Sequence, residues 1–212
     1  MLFSDRENPS REAFSMMKKL FLLSAAVSLL TLTGCIFGGA SSQPQIFSLG
    51  SSAVKSEKLP CQVRFLLFRN LSGSDRRFLY RNEGNLVRGN EFSRWILDPE
   101  LLLERFLREE IRGGGNESVR IRGVITCFEF DVPRQQAVLS VDFTLYGGDI
   151  DRSFNIRSEQ PFAAKDDAKG LAAAAAMEKC AFDLAAKLQP QIVLLLEDIR
   201  KAPQNKGSRL EK

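Results

Sequence analysis

The sequence predicts an α+β domain: an antiparallel or mixed β-sheet with helices packed on one face. Short segments of alternating apolar and polar residues begin at Gln62 and culminate in three long ones between Ser118 and Pro161. Two stripes at helical spacing stand apart from them, around Leu102–Ile111 and Ala173–Leu188. The order of strands, helix, meander and helix segregates the two kinds of element, which marks α+β rather than an alternating α/β chain.

Taken in order, Ile46-Phe47-Ser48-Leu49 is a short strand. Gln62 to Asn70 is a longer one, with Val63, Phe65 and Leu67 on one face and Arg64, Leu66 and Phe68 on the other. Phe78–Arg81 and Leu86–Arg88 flank Asn82-Glu83-Gly84-Asn85 as hairpin arms. Asp98-Pro99-Glu100 opens a helix: aspartate to cap free amides, proline for the first turn, glutamate for the positive dipole end. Gly113-Gly114-Gly115 stops it. Ser118–Phe130, Gln136–Tyr146 and Ile150–Pro161 are strands joined by short turns, hence an antiparallel meander. Asp166-Asp167 caps a helix through Leu188, whose alanine run 172–176 forms a thin face for close approach to a sheet. Pro190 predicts a break, with helix resuming over 191–200.

The 212 residues suffice for one domain, and 44% hydrophobic with 26% charged residues is an ordinary globular balance. Net charge is +4, from 30 basic and 26 acidic residues without a long basic run, so nucleic acid is not the expected partner. The chain has no histidine, which removes Ser-His-Asp and Cys-His catalysis and imidazole metal sites.

Compartment is written near the amino end. Lys18-Lys19 forms a positive region, and Leu20 to Leu32 an apolar core too short to cross a bilayer comfortably. Leu32-Thr33-Gly34-Cys35 then reads as a lipobox, whose cysteine thiol receives diacylglycerol. A buried core helix and an uncleaved anchor are the competing readings of 20–32. Residues 1–15 are polar and of mixed charge, so translation is expected to start at Met16 or Met17. The expected organisation is an extension over 1–15, signal peptide 16–34, lipidated Cys35 with a flexible Gly/Ser/Pro tether to residue 45, one domain over 46–200, and a disordered tail 201–212. Lipid on the sulfur and amino group of Cys35 would anchor the protein stably, each buried methylene contributing roughly 0.8 kcal/mol. The location is then extracytoplasmic and oxidising. Ile36 rather than aspartate after Cys35 points to the outer membrane.

Cys61, Cys127 and Cys180 remain, allowing one internal disulfide in three pairings. Cys127 shares the strand phase of Val119, Ile121 and Ile125, and Cys180 flanks the helical stripe, so Cys127–Cys180 is the expected pair. The alternative is that these are small buried apolar residues. No CxxC spacing supports a metal. Glu129 with Asp131, and Asp149 with Asp151, could share a face, but both lie at turns where solvated acids are ordinary. No cofactor and no catalytic residue is expected.

One pattern carries more. In the first meander strand Val124, Phe128 and Phe130 alternate against Val119, Ile121 and Ile125, and Leu66 and Phe68 do likewise on the earlier strand. If helices cover one face, these residues leave an apolar second face for an oligomer, a partner or lipid. The alternative is a bulge that shifts the phase, or a covering loop.

The lipobox, the Ile46–Leu49 and Val63–Phe68 strands, Leu79-Tyr80-Arg81, Phe92-Ser93-Arg94-Trp95 before Asp98-Pro99, and the alanine-rich last helix together resemble the auxiliary lipoproteins of ABC-type transport systems, which include paraquat-inducible protein C. The resemblance spans about residues 32–200. It implies a docking subunit, often a ring of identical copies, beside a permease, an ATPase and a mammalian-cell-entry (MCE) domain protein that move hydrophobic molecules between membranes. Tyr80, Arg81, Arg94 and Trp95 are then expected at an interface, with Trp95 as a packing residue the competing reading. A carrier that binds an acyl chain between its sheet and helices is the second functional expectation.

Overall fold

A computed structural model describes residues 43–50, 58–83, 86–162 and 169–202. The signal segment, Cys35, the capping Asp166-Asp167 and residues 203–212 lie outside the described residues. The described residues from Pro44 onward form one compact unit.

The strands are β1 (Gln45–Phe47), β2 (Gln62–Phe65), β3 (Arg69–Asn70), β4 (Arg77–Arg81), β5 (Val87–Trp95), β6 (Ser118–Asp131), β7 (Gln136–Gly147) and β8 (Ile150–Pro161). The helices are α1 (Pro99–Glu110) and α2 (Lys169–Lys201). One mixed sheet runs β1-β5-β4-β6-β7-β8, with β2 and β3 pairing in turn along β6. The β4–β5 hairpin and the β6–β7–β8 meander are antiparallel. β1, β2, β3 and the end of β4 pair in parallel. The architecture is α+β with the helices on one face. The β7–β8 turn is two residues long, and Gly148 takes the positive φ of 57° that such a tight reversal requires.

The core lies between that face and the helices. From α1 come Leu102, Leu103, Phe106, Leu107 and, just beyond it, Ile111; from α2 come Ala173, Met177, Cys180, Ala181, Leu184 and Leu188. Phe106 meets Phe182 edge-on at 4.9 Å, which joins the two helices. The sheet supplies Val119, Ile121, Ile125, Leu139, Val141, Phe143 and Leu145. The thin alanine face does what its composition suggests: Ala173, Ala174 and Ala176 are buried.

Four local expectations are corrected. The strand from Gln62 to Asn70 is two strands, because one extra residue enters between Phe65, opposite Ile121, and Arg69, opposite Val124. That irregularity turns Phe68 into the core and leaves Leu67 71% exposed. A second bulge sits in β6 between Ile125, opposite Val141, and Cys127, opposite Ser140. Thr126 is the extra residue, and its hydroxyl bonds the Ser140 carbonyl at 3.2 Å and Ser140 Oγ at 3.1 Å. Asp98 starts α1 by position, but its carboxylate takes Arg76 at 3.0 Å instead of capping the amides. Pro190 does not break the last helix. It lies on the exposed side, so the carbonyl its missing N–H leaves unpaired faces water, and the buried series continues through Leu188, Ile192, Leu195 and Leu196.

Candidate functional site

The β6 bulge decides where the predicted site residues stand. Before it, Val119, Ile121 and Ile125 face the core; after the inserted Thr126, Phe128 and Phe130 face the same core, each about 1% exposed. The apolar second face expected from strict alternation therefore does not exist at these positions. Phe68 is also buried, at 2%; of this set Val124, which precedes the bulge, keeps the outer face and is partly exposed, and Leu66 reaches the surface.

Trp95 is likewise internal, at 2% exposure. Its ring stacks on Phe78 with centroids 4.4 Å apart and meets Phe128 edge-on at 5.4 Å. Phe78 contacts Phe47 and Phe130, and Phe130 contacts Tyr80 at 5.2 Å. Tyr80, Trp95, Phe128 and Phe130 are thus brought together, as an aromatic cluster that locks β1, β4, β5 and β6 rather than as an interface. Burial pushes the Tyr80 phenol above its ordinary value, opposed by the Asn90 side chain. Arg94 is exposed on β5, beside Ile46 of β1, and has no ion-pair partner among the described residues.

The bulge also separates the cysteines. Cys127 turns to the outer sheet face, and Cys180 lies in the helix–sheet core with its thiol against the carbonyls of Ala137 and Ser158. Cys61, Cys127 and Cys180 are free, so the expected Cys127–Cys180 disulfide is not formed: the sheet stands between the two thiols.

On the outer face, the turn ends of β4, β6, β7 and β8 form an open cleft of about 620 Å³ lined by Arg81, Cys127, Glu129, Asp131, Arg134 and Arg157, among others. Arg81 makes a two-pronged pair with Glu129, at 2.6 and 2.8 Å. Arg134 lies 3.8 Å from Asp131, and Arg157 is 2.6 Å from Glu159. Glu129 and Asp131 are therefore each paired with an arginine. Burial first, and the Glu129 carboxylate second, push the Cys127 thiol up to about 12, so it stays protonated. The sequence reading identified Arg81, Cys127 and Glu129 separately but missed their convergence and missed Arg134 and Arg157. The signal was the phase change within β6: two apolar series, one ending at Ile125 and one starting at Phe128, can share a face only across an inserted residue.

Further along the same face the arginines are not neutralised. Arg64 of β2 stands directly beside Arg120 of β6, with Arg122 and Arg69 nearby in the register. None of the four has an ion-pair partner among the described residues; Arg120 lies over the Tyr146 ring at 5.7 Å. No described helix is long and apolar enough to cross a membrane. Among the described residues no cluster of acidic and cysteine side chains is arranged to hold a metal ion.

No family model and no curated protein matches the sequence. Solved structures do. The chain is similar to a protein from Xanthomonas campestris that carries the family label DUF330, with a TM-score of 0.57 and 14% identity over 74% of this chain and 99% of that one. A second, titled only as an uncharacterized protein, gives 0.50 and 11% identity over 69% and 99%. At these identities the likeness is one of fold.

Proposed function

We propose that this is a non-catalytic lipoprotein, anchored through Cys35 on the periplasmic face of the outer membrane. In this reading it serves as a docking subunit of an ABC-type, MCE-associated system that moves lipid or other hydrophobic molecules, together with a permease and an ATPase. The anchor rests on the lipobox at Leu32–Cys35, and the transport role on the resemblance of the strand and helix motifs to that auxiliary family.

The observation that carries docking over the acyl-chain carrier is the filling of the helix–sheet interior. An acyl chain held by a sheet-and-helix fold would lie where Ile121, Ile125, Leu139, Met177, Cys180 and Leu184 already pack, all at 0% exposure. Opening that space would remove core contacts costing several kcal/mol. The non-catalytic reading is supported by the outer cleft, where Glu129 and Asp131 are paired with arginines and the Cys127 thiol is held protonated.

Two measurements test it. Radiolabelled palmitate should mark the wild-type product and not Cys35→Ser; equal labelling of both removes the anchor. The purified periplasmic domain of the MCE partner should bind the unlipidated chain, and native mass spectrometry should show that chain free of lipid. A one-to-one lipid adduct on a monomer would instead establish the carrier.

A further inference from the structure

We propose that the outer-face patch built from Arg64, Leu66, Leu67 and Arg69 with Arg120 and Arg122 of β6 seats on an anionic phospholipid bilayer. The patch depends on the fold alone; only the nearness of a bilayer rests on the anchor reading above.

The contrast along β6 motivates it. Toward its carboxyl end the outer face pairs Arg81 with Glu129 and Arg134 with Asp131. Toward its amino end four guanidiniums gather with no ion-pair partner among the described residues; Asp142, opposite Val124 on β7, accepts from the Asn155 side chain instead. The parallel register sets Arg64 directly against Arg120. Like charges directly opposite on neighbouring strands destabilise a sheet. Such a pair is relieved when an external anion supplies the missing charge.

The leucines specify the kind of anion. The irregularity between β2 and β3 turns Phe68 inward and leaves Leu66 38% and Leu67 71% exposed, between Arg64 and Arg69. A soluble acidic protein or free phosphate satisfies the arginines but leaves these side chains in water. A bilayer surface satisfies both, with headgroup phosphates at the guanidiniums and the headgroup–acyl boundary around the leucines. Position agrees: about ten residues separate Cys35 from Gln45, so the tether can extend roughly 35 Å at most and keeps the domain beside the membrane that holds its lipid.

The test uses the full chain carrying Cys35→Ser, which has no acyl anchor, floated with vesicles of phosphatidylethanolamine alone or containing phosphatidylglycerol. The apolar stretch 20–32 gives an equal background on both, so the readout is the difference. Binding to the phosphatidylglycerol vesicles should be tighter and should weaken with added salt. Arg64→Gln and Arg120→Gln should each weaken it about fivefold, since each basic residue near an anionic surface contributes about 1 kcal/mol. Leu67→Asn should weaken it on top of either. Both arginine variants should melt no lower than the parent, because they remove repulsion. Arg105→Gln, on the exposed side of α1, should change nothing. Hydrogen exchange across residues 64–71 should slow with phosphatidylglycerol vesicles and not with neutral ones. Equal binding to both vesicles, full binding by the Arg64→Gln/Arg120→Gln double variant, or exchange protection elsewhere would overturn the assignment. Loss of palmitate labelling in the wild type would leave this result standing and refute only the anchor.

Discussion

Gly123→Ala should destabilise the domain, although alanine is ordinarily the better strand residue. Gly123 lies in β6 under the Phe68 ring. A methyl group built there falls within 2.7 Å of Cδ1 and Cζ of Phe68 and closer still to Cε1. The ring cannot swing away freely: it is 2% exposed, with Phe65 and Phe143 each 6.2 Å from it centroid to centroid. Overpacking of this kind costs about 1–3 kcal/mol. Removing Phe68 costs about 3–5 kcal/mol by itself. In the Phe68→Ala background the added methyl enters vacated space, so Gly123→Ala should there be neutral or stabilising. A double-mutant cycle should therefore give a coupling of at least about 1 kcal/mol. Urea unfolding followed by fluorescence measures it, because Trp95 is the lone tryptophan, is buried, and leaves its Phe78 stack on unfolding. A neutral Gly123→Ala, or strictly additive effects, would refute the inward placement of Phe68 and the β2–β3 irregularity with it.

Two further outcomes follow from the packing. Trp95→Ala should lose about 3–5 kcal/mol of stability, read as a fall in melting temperature with loss of the near-ultraviolet aromatic signal, and any loss of partner binding should track unfolding. Cys127 and Cys180, pushed from the ordinary 9.0 to about 12 and about 11 chiefly by burial, should resist a thiol reagent at pH 8 in the native protein and react on unfolding. The native state holds these protons more tightly than the unfolded chain. Stability from this source is accordingly complete below pH 9 and falls as pH rises toward 12, which urea midpoints across that range measure.

The elements themselves were legible because each announces its period locally. Leu102, Leu103, Phe106 and Leu107 point one way on any helix, and Leu139 to Leu145 alternates apolar with polar residues. The docked faces of both helices, the hairpin and the meander follow from such patterns, and so does the α+β class. The lipobox is likewise a linear signal, read by an enzyme from extended chain.

What the sequence could not decide by itself was phase across an irregularity. One inserted residue at Thr126 reverses every later side chain of β6, and one between β2 and β3 does the same for Phe68. Bulges form where the partner strand and the opposing core reward them, and those contacts are distant in sequence. Pro190 is the same lesson in a helix: local preference predicts a break, but burial of Leu188, Ile192 and Leu195 on one side holds the helix together while the proline faces water. The ion-paired cleft and the unneutralised arginines belong to the tertiary structure for a related reason. Charge neutralisation is set by which strands become neighbours, and the nearly balanced total of 30 basic and 26 acidic residues conceals that they are sorted unevenly along one sheet face.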